Sequence, residues 1–167
     1  PPSPRGAVLY LHGIQSHGVW FEASAACLAE AGLAVLLPDR RGSGRNDVER
    51  GHASSARLLL RDVADGLDEL HVRTGLARFH LVGVSWGGKL AAAFLGHAPG
   101  RVASLTLVAP GLFPQVDIPF TQKIRIGLAA VVSRKSLVDI PLDEPALFTA
   151  NPVQQEFIRS DRLKLCR

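Results

Sequence analysis

Four short apolar runs recur along the chain, and a helical pattern fills each interval between them. "AVLYL", Ala7 to Leu11, lies between Gly6 and Gly13. It reads as a strand buried on both faces, because a half-exposed strand would alternate polar and apolar residues. "VWFEASAACLAEAG" carries apolar side chains at helical spacing, with Gly32 placed to end the helix. "LAVLLPD" is a second buried strand, stopped by Pro38. In "SSARLLLRDVADGLDELHVRTG", Leu59, Val63, Leu67 and Leu70 share one helical face and Gly75 closes it. "FHLVG" is the third strand, Trp86 to Ala98 the next helix, and Val102 to Ala109 the fourth strand. Strict alternation of strand and helix predicts an α/β fold with a mostly parallel sheet and helices on both faces, since parallel strands need right-handed crossovers.

At 167 residues the chain is the size of one domain with its own core. Its 47% hydrophobic and 20% charged residues are those of a globular protein. The net charge is +4, but Arg and Lys are scattered and the few aromatics do not alternate with them, so no nucleic-acid partner is indicated. Cys27 and Cys166 fit neither a disulfide framework nor a metal-ligand spacing, and Cys27 is expected in the core. No metal or cofactor is implied. No run approaches the roughly 20 apolar residues of a membrane span, so a soluble, cytoplasmic protein is the default expectation. The sequence opens at Pro1, contains no methionine, and closes with "RSDRLKLCR" inside a helical pattern, so an excised piece is expected.

The chemistry concentrates in "FHLVGVSWGGKLAAAFL". A strand that ends in Gly-x-Ser-x-Gly and passes at once into a helix is the layout of a nucleophile elbow. Gly83 and Gly87 flank Ser85 because side chains there would collide with the neighbouring helix and strand. A helix beginning just after Ser85 aims unpaired N–H groups and the positive end of its dipole at a developing oxyanion. Trp86 N–H is the natural donor. The competing reading, Ser85 as a plain helix cap, does not account for the segments that converge on it.

Those segments are "LYLHGI" and "PDRRGSGR", each following a predicted strand. Reactive groups in open parallel sheets gather at the carboxyl ends of the strands. In "HGI", Gly13 lets the chain turn so that Ile14 N–H supplies a second oxyanion donor. His12 reads as a structural residue that fixes this loop by hydrogen bonding, and the same reading is given to His17, His52, His71, His80 and His97. His80, on the elbow strand, is expected as a satisfied buried imidazole. Gly42-x-Gly44 fails as a dinucleotide loop, because Pro38, Asp39 and two arginines intervene and no third glycine follows in register. A tight loop whose Asp39 accepts local hydrogen bonds is the better reading.

Residues 1–110 read as the core and 111–167 as an incomplete lid. Phe120, Ile124, Leu128 and Val131 fall on one helical face, with Lys123, Arg125, Arg134 and Lys135 nearby. The simpler reading is a lid helix over the open end of the domain; the sharper one is a weak contact with lipid headgroups at a membrane surface. Asn151 or Thr149 is placed to cap a last helix through "PVQQEFIRSDRLKL", with Pro152 in its first turn.

"VLYLHG", "LPDRRGSGR" and "LVGVSWGGKLAAAF" together resemble the α/β-hydrolase superfamily, and within it the lysophospholipase, monoacylglycerol lipase and serine-aminopeptidase-like group. The resemblance runs from Ala7 to about Pro110 and implies a partial α/β-hydrolase fold with the start of a helical lid. It implies Ser85 as nucleophile, the Ile14 and Trp86 N–H groups as the oxyanion hole, and a small acyl ester as substrate. Trp86 after the serine is also similar to proline iminopeptidases, so an aminopeptidase, with Asp143 and Glu144 as the acids to read a free amino terminus, stays open. A non-catalytic binding protein on the same fold stays open too. In this family the catalytic acid and histidine follow the lid, in the order Ser, acid, His. Asp117, Asp139, Asp143 and Asp161 are poor matches for that acid and no histidine follows His97. Neither the acid nor the histidine is therefore expected in this chain, the family's first two strands are expected before Pro1, and the segment alone is expected to be inactive.

Overall fold

The computed structural model describes residues 4–113, 120–132, 138–140, 142 and 144–166. Four strands form one parallel sheet: β1 (Gly6–Leu11), β2 (Leu33–Leu36), β3 (Phe79–Val84) and β4 (Val102–Val108), in spatial order β2-β1-β3-β4. β1 pairs with β2 from Gly6 opposite Leu33 to Leu9 opposite Leu36. It pairs with β3 from Val8 opposite His80 to Leu11 opposite Gly83. β3 continues the sheet to β4, ending with Val84 opposite Val108.

The chain steps one way from β1 to β2 and the other way from β1 through β3 to β4. Right-handed crossovers then place α1 (Glu22–Glu30) on one face and α2 (Ala56–Thr74) and α3 (Trp86–His97) on the other. The reversal at β1 also opens a crevice between the carboxyl ends of β1 and β3, where loops leave toward opposite faces. The sheet order thus decides where a site can form.

Burial follows from this order. Every residue of β1 is buried, as a strand covered on both faces and paired on both edges requires. The main core lies on the α2 and α3 side, where Leu9, Leu11, Phe79 and Leu81 meet Val63, Leu67, Leu70, Ala91 and Phe94. On the opposite face Tyr10 packs against Phe21, with ring centroids 5.4 Å apart. α2 keeps the expected face and ends: Ser55 Oγ accepts from Leu58 N–H, and Gly75 closes the helix at φ 72°.

Five expectations are corrected. Cys27 is exposed, because α1 lies beside the edge strand β2 and buries none of its residues fully. β2 is only half-buried, as an edge strand with one neighbour. His80 is half-buried rather than buried: the inward positions of β3 are Phe79, Leu81 and Gly83, and His80 pairs across the sheet with Ser104, Nδ1 to Oγ 2.8 Å. The apolar face of α4 (Phe120–Val132) does not cover the core, since Phe120, Ile124, Leu128 and Val131 are all exposed. The last helix, α5 (Pro152–Ser160), is capped by Asn151 Oδ1 accepting from Val153 N–H, but stops at Ser160 rather than continuing to Leu165. It stops because the Asp161 carboxylate accepts from Leu163 N–H, and from His17 and Trp20 of the loop after β1, which pulls the chain out of the helix. Arg134 and Lys135 lie outside the described residues.

Leu67 is fully buried where α2 meets the sheet. Leu67→Ala is expected to lower the unfolding free energy by about 2–5 kcal/mol, read as a lower urea midpoint at unchanged slope.

Candidate active site

Ser85 sits at the crevice, between β3 and α3, with φ 51° and ψ −116°. Non-glycine residues rarely hold such a backbone, which costs on the order of 1–3 kcal/mol and survives only where its surroundings fix it. Here three bonds do so. Ser85 N–H donates to Val108 O at 3.0 Å, and Ser85 O accepts from Gly88 N–H at 3.0 Å and from Gly111 N–H at 3.2 Å. The side chain is half-buried and caps nothing in α3.

The flanking glycines are steric necessities, as the motif predicts. A Cβ on Gly83 would lie 2.7 Å from both Gly87 O and Gly88 Cα of α3, and one on Gly87 would strike the Leu11 and His12 carbonyl oxygens of the β1 end. At Gly13 the φ is not left-handed, and a Cβ there would stand 3.3 Å from Ser16 Oγ and 3.5 Å from Ser85 Cβ, at or just inside ordinary contact. The loop after β1 therefore lies directly against the serine.

His12 is buried with both ring nitrogens engaged. Nδ1–H donates to Gly13 O at 2.8 Å, and Nε2 accepts from Arg40 N–H at 2.8 Å. Burial, reinforced by the Arg40 charge, pushes its pKa down to about 4, so the ring is neutral near pH 7. Gly13 O also accepts from Arg40 Nη2 at 3.4 Å, and Ile14 O accepts from the same nitrogen at 2.8 Å. The Gly13–Ile14 peptide is trans, so fixing Gly13 O on one side directs Ile14 N–H to the other. Neither Ile14 N–H nor Trp86 N–H has an acceptor among the described residues. Ile14 and Trp86 line one cavity of about 310 Å³, together with Arg40, His52, Ile140 and Leu165. A second cavity, about 350 Å³ on the α2 side, shares Arg40, Arg41, His52 and Leu59 with the first and reaches Gly87 of the elbow, but is lined by neither Ile14 nor Trp86.

Asp39 accepts from Gly18 N–H at 2.7 Å and Arg45 N–H at 2.9 Å, in the tight loop expected. Burial raises its pKa, but these two hydrogen bonds and the nearby imidazoles outweigh that and hold the carboxyl below its ordinary value. Gly42 and Gly44 turn the loop at φ 68° and 57°. Asp161 Oδ2 receives both His17 Nε2–H and Trp20 Nε1–H at 2.7 Å, so this buried pair ties the end of the chain to the β1 loop. Burial acts against the Asp161 charge, yet the bonds from Trp20, Leu163 and His17 keep the carboxyl below its usual range. Leu165 N–H reaches Gln15 O at 2.9 Å. His71 is committed to Leu76 O, while His97 is exposed on the last turn of α3. Asp139 and Glu144 are exposed, and Asp117 and Asp143 fall outside the described residues.

The family described as serine aminopeptidase S33 matches residues 2–167. This chain belongs to the serine aminopeptidase S33 family. The S33 chain is 29% identical over 169 residues to human monoglyceride lipase, covering 99% of itself and 54% of that relative. It is 33% identical over 106 residues to the proline iminopeptidase of Lactobacillus delbrueckii subsp. lactis, covering 62% of itself and 35% of that relative. Its fold is that of the Paleococcus ferrophilus monoacylglycerol lipase crystal structure, with a TM-score of 0.83 at 23% identity, over 97% of this chain and 61% of the other. The S33 chain thus spans about half the length of the human relative. Its parallel sheet and crossovers are part of an α/β-hydrolase fold.

Arg40 escaped the sequence reading, in which the two arginines of "PDRR" served only to dismiss a nucleotide loop. The available signal was a cation in the loop that follows the carboxyl end of β2. His12 supplies a pH prediction. Its folded pKa lies below the ordinary value of 6.5, so it stabilises the fold fully above about pH 6.5 and that contribution is lost as pH falls through about 4. His12→Asn is expected to flatten the acid limb of stability by on the order of 3 kcal/mol, measured by urea unfolding at a series of pH values.

Proposed function

We propose that the natural protein carrying this chain is a serine hydrolase that cleaves carboxylic esters with lipid-like or medium-chain acyl groups. The observation that carries this reading is the strained Ser85 backbone, held by Val108, Gly88 and Gly111 while its side chain stays uncommitted to the helix. Strain of this kind presents a hydroxyl where a carbonyl carbon can reach it. Ser85 Oγ attacks that carbon, its proton passes to a general base, and the carbonyl oxygen becomes an oxyanion facing Ile14 and Trp86 N–H. Collapse expels the alcohol with a proton returned, and water then releases the acid from the acyl-enzyme. The lipid-like acyl group is supported by the monoglyceride lipase relative.

The proton acceptor is a separate matter. His12, His17, His71 and His80 are each bonded to other groups, His97 is exposed on the last turn of α3, and His52 lines the Ile14–Trp86 cavity but makes no hydrogen bond to Ser85 among the described residues. Residues 1–167 expressed alone are therefore expected to hydrolyse a p-nitrophenyl ester only weakly. In the natural protein Ser85→Ala should lower kcat by about 10⁴-fold or more and abolish labelling by a fluorophosphonate, with the melting temperature retained. A variant that keeps its turnover would exclude Ser85, and natural protein that neither turns over nor labels would point to a binding protein on this fold.

A second reading is favoured by Trp86 after the serine and by the iminopeptidase relative. An aminopeptidase would use the same serine on a substrate with a free amino terminus. Comparing kcat/KM for p-nitrophenyl butyrate and proline p-nitroanilide separates them: the ester is expected to be preferred by about 10²-fold or more, and the reverse order selects the peptidase.

A further inference from the structure

The Arg40 side chain touches both halves of the site. Its Nη2 donates to Ile14 O at 2.8 Å and more distantly to Gly13 O at 3.4 Å, while its Cζ lies 4.4 Å from the centroid of the Trp86 ring. Its backbone N–H binds His12 Nε2, and His12 Nδ1–H in turn holds Gly13 O. The two residues that carry the proposed oxyanion donors come from different strand ends, β1 and β3, and the sheet sets only where those strands finish. The direction of each N–H is left to the loops.

The energetics argue that Arg40 is not there for stability. No acidic side chain forms an ion pair with it among the described residues, and its Nε is buried with no partner. Arg40 is half-buried, and a cation withdrawn from water without an ion-pair partner carries a desolvation cost that carbonyl oxygens and an aromatic face offset only in part. Burial lowers the Arg40 pKa to about 10, so the charge persists near pH 7. A planar guanidinium can donate in its plane and stack through its face at once, which an ammonium cannot.

Resting on the serine-hydrolase reading, we infer that Arg40 is a positioning residue that locks the Ile14 loop and the Trp86 turn into one register, aiming both N–H groups at the same oxygen. It acts through those residues and contacts no reacting atom. Its effect should appear in the transition state and leave substrate binding nearly untouched.

The experiment uses the natural full-length protein with Arg40→Gln and Arg40→Lys, assayed with p-nitrophenyl butyrate. Removing one oxyanion donor outright costs about 10²- to 10³-fold in kcat, so misaiming is expected to cost about 10- to 100-fold, with KM within about two-fold. Affinity for a trifluoromethyl ketone, which mimics the tetrahedral oxyanion, should fall by the same factor as kcat/KM. Lysine should rescue little, because it keeps the charge without the fork and the stack. Folded variants with kcat and ketone affinity within about two-fold of wild type would overturn the inference, as would full rescue by lysine. Loss of folded protein in both variants would assign Arg40 to the fold instead and also overturn it. If the natural protein fails to label with a fluorophosphonate, the hydrolase reading falls and this inference with it; labelling with unaltered Arg40 variants removes this inference alone.

Discussion

A residue bent into an unfavourable backbone conformation has to be held there, and the holding groups define this molecule. Ser85 donates to β4 through Val108 and accepts from α3 through Gly88 and from the chain beyond β4 through Gly111. Each of those contacts presupposes that β3 and β4 are in register and that α3 begins without a side chain at Gly87. The parallel sheet is thus more than a scaffold beneath the site. Its registration is what keeps the elbow bent, and local strain of order 1–3 kcal/mol is small against the cooperative cost of breaking the sheet.

The other side of the crevice is organised by polar contacts rather than by strand pairing. His12, Arg40 and Asp39 form a connected set that fixes the loop after β1 to the loop after β2. Neutral His12 suits this role because it donates from one nitrogen and accepts at the other, which the imidazolium cannot do. Buried networks of this kind specify one conformation at some expense in stability. The third contributor is the end of the chain, drawn in by Asp161 and Leu165.

Much of this was legible in the residues themselves. The elbow was readable because its requirements are steric and local: Gly83 and Gly87 announce where no Cβ fits, and the strand and helix on either side carry plain periodicities. The strands were readable for the same reason. What escaped depended on neighbours distant in sequence. Cys27 looked like a core residue because it sits in an apolar helix, but α1 lies beside an edge strand and its surroundings are sparse. The last helix looked longer because "RSDRLKL" continues a helical pattern, whereas Asp161 answers to His17 and Trp20, more than a hundred residues upstream. Arg40 was given no role of its own, since nothing in "PDRR" reveals that a tryptophan ring and two carbonyls lie across from it.

The Asp161 contact has an optical corollary. One carboxylate oxygen accepts the Trp20 indole N–H, and the Phe148 and Phe157 rings stand edge-on to the same indole at centroid distances of 5.6 and 6.4 Å. Both phenylalanines and the carboxylate belong to the last third of the chain, while Trp20 belongs to its first turn after β1. The emission colour of Trp20 is therefore wired to whether these two regions are in contact, giving the molecule a native fluorophore that reports the seating of its far segment without any attached dye.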